Sequence, residues 1–142
     1  MELNDKVFVV TGGGNGMGRQ VVLGLAARGA RVAAADLNEE GLAETVRLAE
    51  GAEGRLTAHT VNVTDRAAVQ ALPDAVIAAH GQVDGIVNIA GIIHRFVHFT
   101  ELTVEEEERI MNVNFWGTVN MCRTFLPLLK ERLPIWRNLS MH

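Results

Sequence analysis

The sequence predicts an α/β fold, a parallel sheet with helices on both faces. Three observations predict it. Short apolar runs alternate with amphipathic helical stretches along most of the chain, the pattern that builds right-handed βαβ units. The first runs are apolar through their centres, as strands buried on both faces must be. Glycines stand just after two of the helical stretches, at Gly29 and Gly81, where a left-handed residue commonly ends a helix.

The elements follow in order. Lys6 to Val10 reads as the first strand, and a glycine turn follows it. Met17 to Arg28 reads as a helix with Val21, Val22, Leu25 and Ala26 on one side, closed by Gly29. Arg31 to Asp36 is the second strand. Asn38 is an N-cap for a helix through about Glu50, where Leu42, Val46 and Ala49 recur at helical spacing. Gly51 and Gly54 mark a loop, and Leu56 to Val63 is the third strand. Asp65 caps a helix to His80, which Pro73 is expected to kink or split. Val83 to Ile89 is the fourth strand. Thr103-Val104-Glu105-Glu106 is a capping box that places negative charge at the positive end of a helix. Helix then runs to about Arg132, with a break expected near Asn112 to Asn114 and a second half apolar on most faces, from Phe115 to Leu129.

Composition narrows the function classes. The chain of 142 residues carries a net charge of −4, with 48% hydrophobic and 21% charged residues. Acidic and basic residues are interspersed, so nothing suggests a nucleic-acid surface or a basic membrane-binding helix. The single cysteine, Cys122, leaves no internal disulfide framework. The N-terminus does not read as a signal peptide, and no apolar stretch approaches the ~20 residues of a membrane span. The expected location is cytoplasmic.

The chemistry concentrates in Thr11-Gly12-Gly13-Gly14-Asn15-Gly16-Met17-Gly18, between the first strand and its helix. Small residues there let the backbone approach a pyrophosphate, and the helix N-terminus offers unpaired N–H groups and a positive dipole end. A glycine-rich turn alone is common. Here a strand precedes it, a helix follows, and Asp36 ends the next strand eighteen positions beyond Gly18, near the ~20 expected of a ribose-binding acid. A carboxylate there accepts from both ribose hydroxyls and repels a 2′-phosphate, which favours NAD over NADP. Asn15 and Leu37 are likewise non-basic. Arg19 is the one nearby cation, placed either for a phosphate or for the surface.

The spacing Thr11-Gly12-x-x-x-Gly16-x-Gly18 resembles the short-chain dehydrogenase/reductase family. Three further segments carry the resemblance: Asn62-Val63-Thr64-Asp65, Asn88-Ile89-Ala90-Gly91 and Asn112-Val113-Asn114-Phe115-x-Gly117. It covers about Asp5 to Arg132. It implies a Rossmann-type sheet of order 3-2-1-4, incomplete relative to the family's full fold. Residues 1–132 would be the NAD-binding domain and 133–142 an atypical tail. Gly12, Gly16 and Gly18 would cradle the pyrophosphate, with Asn15 and the Met17 backbone at the same turn, and Asp36 would hold the adenosine ribose. Asn62 and Val63 would meet the adenine; Asn62 stands where the family has aspartate, and its amide oxygen can still accept from the adenine amino group. Asn88, Ala90 and Gly91 would back the cofactor. Ile89 replaces a second asparagine, the residue whose hydrogen bond often ties this loop to its neighbours in the family. Asn114 matches the asparagine that orients a water in the family's proton relay.

The family's reaction moves hydride between NAD and a secondary alcohol or ketone. It uses a tyrosine as general acid/base with a lysine four residues later and a serine. This sequence has no tyrosine. Ser140 falls near the expected serine, and Pro134 and Arg137 are poor residues for the central strand that should carry it. The expectation is a truncation ahead of the Tyr-x-x-x-Lys region, either natural or from a reading frame shifted near Leu133. The chain would bind NAD and be inactive alone. The alternatives are a non-catalytic NAD(H)-binding module or an interaction module pairing with a full-length relative. An uncovered fourth strand and apolar helix would make it a homo-oligomer. His94 and His98, four apart in a loop, are either solvated polar groups or substrate contacts, and no metal site is expected.

Overall fold

A computed structural model describes residues 2–49, 51–52 and 54–132. The atypical tail, with Ser140, lies outside the described residues. The elements are β1 (Val7–Thr11), α1 (Gly16–Ala27), β2 (Arg31–Asp36), α2 (Glu39–Leu48), β3 (Leu56–Thr60), α3 (Arg66–His80), β4 (Gly85–Asn88), a 3₁₀ turn (Phe99–Glu101), α4 (Val104–Met111), a π-helical segment (Asn112–Trp116) and α5 (Gly117–Arg132).

The strands form a parallel sheet in the order β3-β2-β1-β4, the expected arrangement. Alternate residues of each strand face opposite ways, so the two faces collect separate cores. Val7, Val9, Ala33 and Ala35 meet Val69, Leu72 and Val76 of α3 and Met121 and Phe125 of α5. Phe8, Val10, Val32 and Ala34 meet Val22 of α1 and Leu42 of α2. Each fully buried large aliphatic or aromatic side chain contributes about 1.5–3 kcal/mol. Small Ala33, Ala34 and Ala35 in β2 let both layers of helix approach closely.

Most boundaries fall within one or two residues of expectation, and the instructive differences have local reasons. The third strand ends at Thr60 rather than Val63. Val61 and Val63 are buried as an apolar strand end would be, but Asn62 turns the chain: its Oδ1 accepts from Thr64 N–H at 3.0 Å and from Thr64 Oγ1 at 2.7 Å. The fourth strand stops at Asn88, because Ile89 N–H leaves the ladder and donates to Thr11 Oγ1 at 3.1 Å. The helix from Asp65 runs unbroken through Pro73, which is buried beside Leu72 and Val76. Packing there outweighs the lost backbone hydrogen bond. The break expected near Asn112 is a change of winding to wider π turns, with helix on both sides.

Asp84, just before β4, fastens the end of the sheet opposite the glycine turn. Its carboxylate accepts from Val7 N–H at 2.9 Å, from Gln82 Nε2 at 2.7 Å and from Arg132 Nε at 2.9 Å. Burial pushes its pKa up, but these hydrogen bonds and the Arg132 charge together hold it below its ordinary value.

Candidate functional site

At the C-terminal ends of the strands, a cleft of about 670 Å³ opens between the glycine turn and α4. Parallel α/β sheets bind ligands at this edge. The cleft is lined by Gly12, Asn15, Met17 and Gly18 from the turn, Asp36 and Leu37 from the end of β2, Asn62 and Val63 after β3, and Ala90 and Gly91 after β4. Four separated stretches of sequence therefore converge on one surface.

Close approach explains the glycines. Gly12 has φ +73°, and a Cβ there would lie 2.8 Å from Ala90 N. A Cβ on Gly18 would overlap the Gly12 carbonyl oxygen. The backbone of the turn is thus exposed to the cleft with no side chain between. Gly16 opens α1 but does not line the cleft. Asn15 is the N-cap residue of α1, and its side chain makes no cap hydrogen bond.

Asp36 sits where β2 ends. Its Oδ2 accepts from Gly14 N–H at 2.9 Å and its Oδ1 from Asn38 N–H at 3.0 Å. One carboxylate oxygen thus steadies the turn while the other steadies the start of α2. A carboxylate offers about four acceptor sites, so both oxygens keep capacity for hydroxyl donors from the cleft.

Arg19 was legible only as a nearby cation. In the structure its Nη2 donates to Gly14 O at 2.5 Å and Gly41 O at 3.2 Å, and its Nε to Thr45 Oγ1 at 3.0 Å. Thr45, fully buried, donates to Gly13 O at 2.7 Å. The guanidinium is a strut joining the glycine turn to α2. Nothing in the sequence signals this, since the acceptors are main-chain carbonyls brought near by tertiary packing. Thr11 is a second strut: its hydroxyl accepts from Ile89 and Ala90 N–H at 3.1 and 3.2 Å. It supplies the tie that Ile89 cannot make.

Two expected site residues, Asn88 and Asn114, do not line the cleft. Asn88 reaches Cys122 Sγ with its Nδ2 at 3.9 Å, and its Oδ1 is buried without a partner. Asn114 lies in the π segment, and its amide pairs reciprocally with Ile92: Oδ1 accepts from Ile92 N–H at 2.8 Å and Nδ2 donates to Ile92 O at 2.7 Å. The side chain clamps the loop after β4 to the helix. Such π turns frequently mark functional sites. The Asn62 amide oxygen, expected to meet an adenine amino group, is occupied by Thr64. The group that remains free to face the cleft is its NH₂.

Sequence reasoning missed the roof. Glu105, Glu108 and Arg109 of α4 and Asn112 beyond it line the cleft. The capping box foretold the helix; its direction across the sheet is a tertiary property. Thr103 and Glu106 do form the box, with Thr103 N–H to Glu106 Oε2 at 2.8 Å and Glu106 N–H to Thr103 Oγ1 at 3.2 Å. The Arg95 guanidinium beside Glu106 and the Thr103 N–H hold its carboxyl down to about 2. His94, Arg95 and His98 do not line the cleft: Arg95 pairs with Glu106 at 2.6 Å, and His98 N–H donates to Glu101 at 3.1 Å. Among the described residues no three His, Cys, Asp or Glu side chains converge to hold a metal, and no helix is long and apolar enough to cross a membrane.

Comparison with known proteins gives a consistent picture. A family model described as short chain dehydrogenase matches residues 6–133. The oxidoreductase SadH of Mycobacterium tuberculosis is 40% identical over 122 residues, spanning 86% of this chain and 44% of SadH. The 3-oxoacyl-[acyl-carrier-protein] reductase FabG of Thermotoga maritima is 34% identical over 133 residues, spanning 93% of this chain and 54% of that protein. Among solved structures, the 3-ketoacyl-(acyl-carrier-protein) reductase of Brucella melitensis complexed with NADH superposes with a TM-score of 0.86 at 32% identity, over 92% of this chain and 52% of that one. A short chain dehydrogenase from Mycobacterium paratuberculosis bound to NAD gives 0.85 at 30% identity, over 93% and 53%. The chain spans about half the length of these relatives.

Proposed function

The chain belongs to the short-chain dehydrogenase family, and from that premise we propose that it supplies the NAD(H)-binding part of an oxidoreductase acting on secondary alcohols or ketones. The observation that carries the proposal is the convergence of the glycine turn, Asp36 and the Asn62–Val63 segment on one cleft. The backbone of Gly12 and Gly18 and the first turn of α1 face a pyrophosphate, with Asn15 and Met17 alongside and Gly16 shaping the helix start. Asp36 accepts from the ribose hydroxyls and disfavours a 2′-phosphate. Asn62 and Val63 border the base. Asn88, Ala90 and Gly91 support the far wall. NAD-bound relatives of the same fold support the reading.

The nicotinamide would supply the hydride chemistry when bound. The residues present here bind, orient and shape. Asn114 clamps the loop at Ile92 with one amide N–H and one lone pair, and its second N–H and second lone pair remain for a water or a reacting group. The 142 residues contain no tyrosine, so the family's general acid/base is not among them. By themselves they are proposed to bind without turnover, since losing such a group removes about 10²–10⁴-fold in rate. The test is a fluorescence titration with NADH, followed by displacement with AMP, and an NAD reduction assay with a panel of secondary alcohols. Saturable, AMP-displaceable binding without reduction supports the proposal. Robust NADH production, or a folded protein that ignores NADH, contradicts it.

A further inference from the structure

Asn120 lies on α5 behind the cleft and is only 5% exposed. Its Nδ2 donates to the main-chain carbonyl of Val63 at 2.9 Å. Val63 and Asn62 are the cleft wall at the end proposed for the base. One turn earlier on the same helix, Gly117 abuts the same residue: a Cβ at Gly117 would lie 2.6 Å from Val63 Cγ2. One helix therefore fixes Val63 twice, by a hydrogen bond to its backbone and by contact with its side chain.

The segment needs fixing from outside. It has left the sheet, since β3 ends at Thr60 and the next bond toward β2 is Val61 N–H to Asp36 O at 3.0 Å. Beyond that, its local order is a turn closed on itself, Asn62 with Thr64 and Asp65 N–H with Asn62 O at 3.0 Å. Such a turn holds its own shape but not its distance from the glycine turn across the cleft. Core packing of Val61 and Val63 with Met121 and Phe125 holds that distance at the side chains, and the Asn120 bond holds it at the main chain. The same continuous helix carries Asn114 in its π segment, clamped to Ile92 on another wall. We propose that Asn120, with Gly117, is a positioning residue that holds the Asn62–Val63 segment for the purine base of the dinucleotide. The inference rests on the NAD-binding reading above.

The test uses the chain as it stands, with AMP, NADH and inorganic pyrophosphate as probes in calorimetric titrations. Asn120→Asp keeps the shape and, in titrations at alkaline pH, replaces the Nδ2 donor by a carboxylate oxygen that repels the Val63 carbonyl. It is expected to weaken AMP and NADH about tenfold, the worth of one well-placed hydrogen bond, while leaving pyrophosphate within about twofold. Gly117→Ala pushes on Val63 from the other direction and is expected to give the same base-selective loss, which keeps the test decisive if Asn120→Asp fails to fold. Phe8→Leu weakens the core on the other face of the sheet without touching Val63 or α5, and should leave the ratio of AMP to pyrophosphate affinity unchanged. Unaltered AMP binding in folded Asn120→Asp and Gly117→Ala overturns the inference while leaving the NAD reading intact. An equal loss for all three probes, or the same base-selective loss in Phe8→Leu, overturns it in favour of a merely structural role. A parent protein that binds neither AMP nor NADH overturns both.

Discussion

Replacing Arg19 by methionine separates a strut from a phosphate ligand. Methionine keeps much of the aliphatic stem and removes the bonds to Gly14 O at 2.5 Å, Gly41 O at 3.2 Å and Thr45 Oγ1 at 3.0 Å. Thr45 still donates to Gly13 O at 2.7 Å and reaches Gly41 O at 3.1 Å, so the group left short of a donor is the Gly14 carbonyl. A buried acceptor without a donor costs about 1–3 kcal/mol. Arg19 is partly exposed, and water reaching the site moves the cost toward the low end, about 1–2 kcal/mol. In a chain of this size that lowers Tm by roughly 3–10 °C. Thermal melts followed by circular dichroism give the stability, and titrations with NADH and NADPH give the affinities. The strut account predicts a lower Tm and equal weakening of both dinucleotides, because both share the loosened turn. Arg19→Lys keeps the charge without the planar fork and should recover less than half of the loss. A Tm within about 2 °C of the parent, with selective loss of NADPH, would refute the account and make Arg19 a phosphate ligand.

Asp36→Ala removes the acceptor for Gly14 and Asn38 N–H and for the ribose; NADH affinity is expected to fall about 10–100-fold, worth ~1.4–2.8 kcal/mol, and preference over NADPH to shrink, both read by fluorescence titration. His59 and His80 sit below the ordinary imidazole value of 6.5, through burial for both and, for His80, also through the charges of His59 and Arg31. The unfolded chain therefore takes up protons that the folded one refuses, so stability is full above about pH 6.5 and declines as pH falls toward the lowered folded values. Urea unfolding across that window should show this decline, and His80→Gln should flatten it. Asp84→Asn keeps an acceptor for Val7 N–H but loses the charge facing Arg132; with the partly exposed pair discounted for screening, about 1 kcal/mol is expected in urea unfolding. Among the described residues the outer edge of β4 pairs with no strand, and Trp116 and Leu126 are exposed, so sedimentation velocity at micromolar concentration is expected to show a dimer or larger species, against a clean monomer if these surfaces do not associate.

The sheet was legible because its strands are short apolar runs between well-marked helices, and periodicity alone assigns both. The cleft was legible because glycines and an acid at fixed spacing have a mechanical purpose that needs no tertiary knowledge. What escaped depends on side chains meeting across the chain. Val61 and Val63 look like strand, and they are buried like strand, yet the Asn62 side chain turns the backbone before the pairing can continue. Pro73 looks like a helix break, yet burial of its ring and neighbours outweighs the missing N–H. The Arg19 bridge to Gly41, the Thr11 tie to Ile89 and Ala90, and the Asn120 support of Val63 join residues 22, 78 and 57 positions apart. No local pattern records those meetings. The roof formed by Glu105, Glu108 and Arg109 belongs to the same class, since a capping box fixes where a helix starts and says nothing of where it points.

The central claim is that the glycine turn and Asp36 form a working NAD(H) site in these residues. Calorimetric titration of the folded chain with NADH, with NADPH as the control, tests it most directly. The account predicts saturable, stoichiometric binding of NADH and at least about tenfold weaker binding of NADPH, a difference of ~1.4 kcal/mol set by the Asp36 carboxylate. A folded chain that binds neither, or that binds NADPH as tightly as NADH, would contradict it.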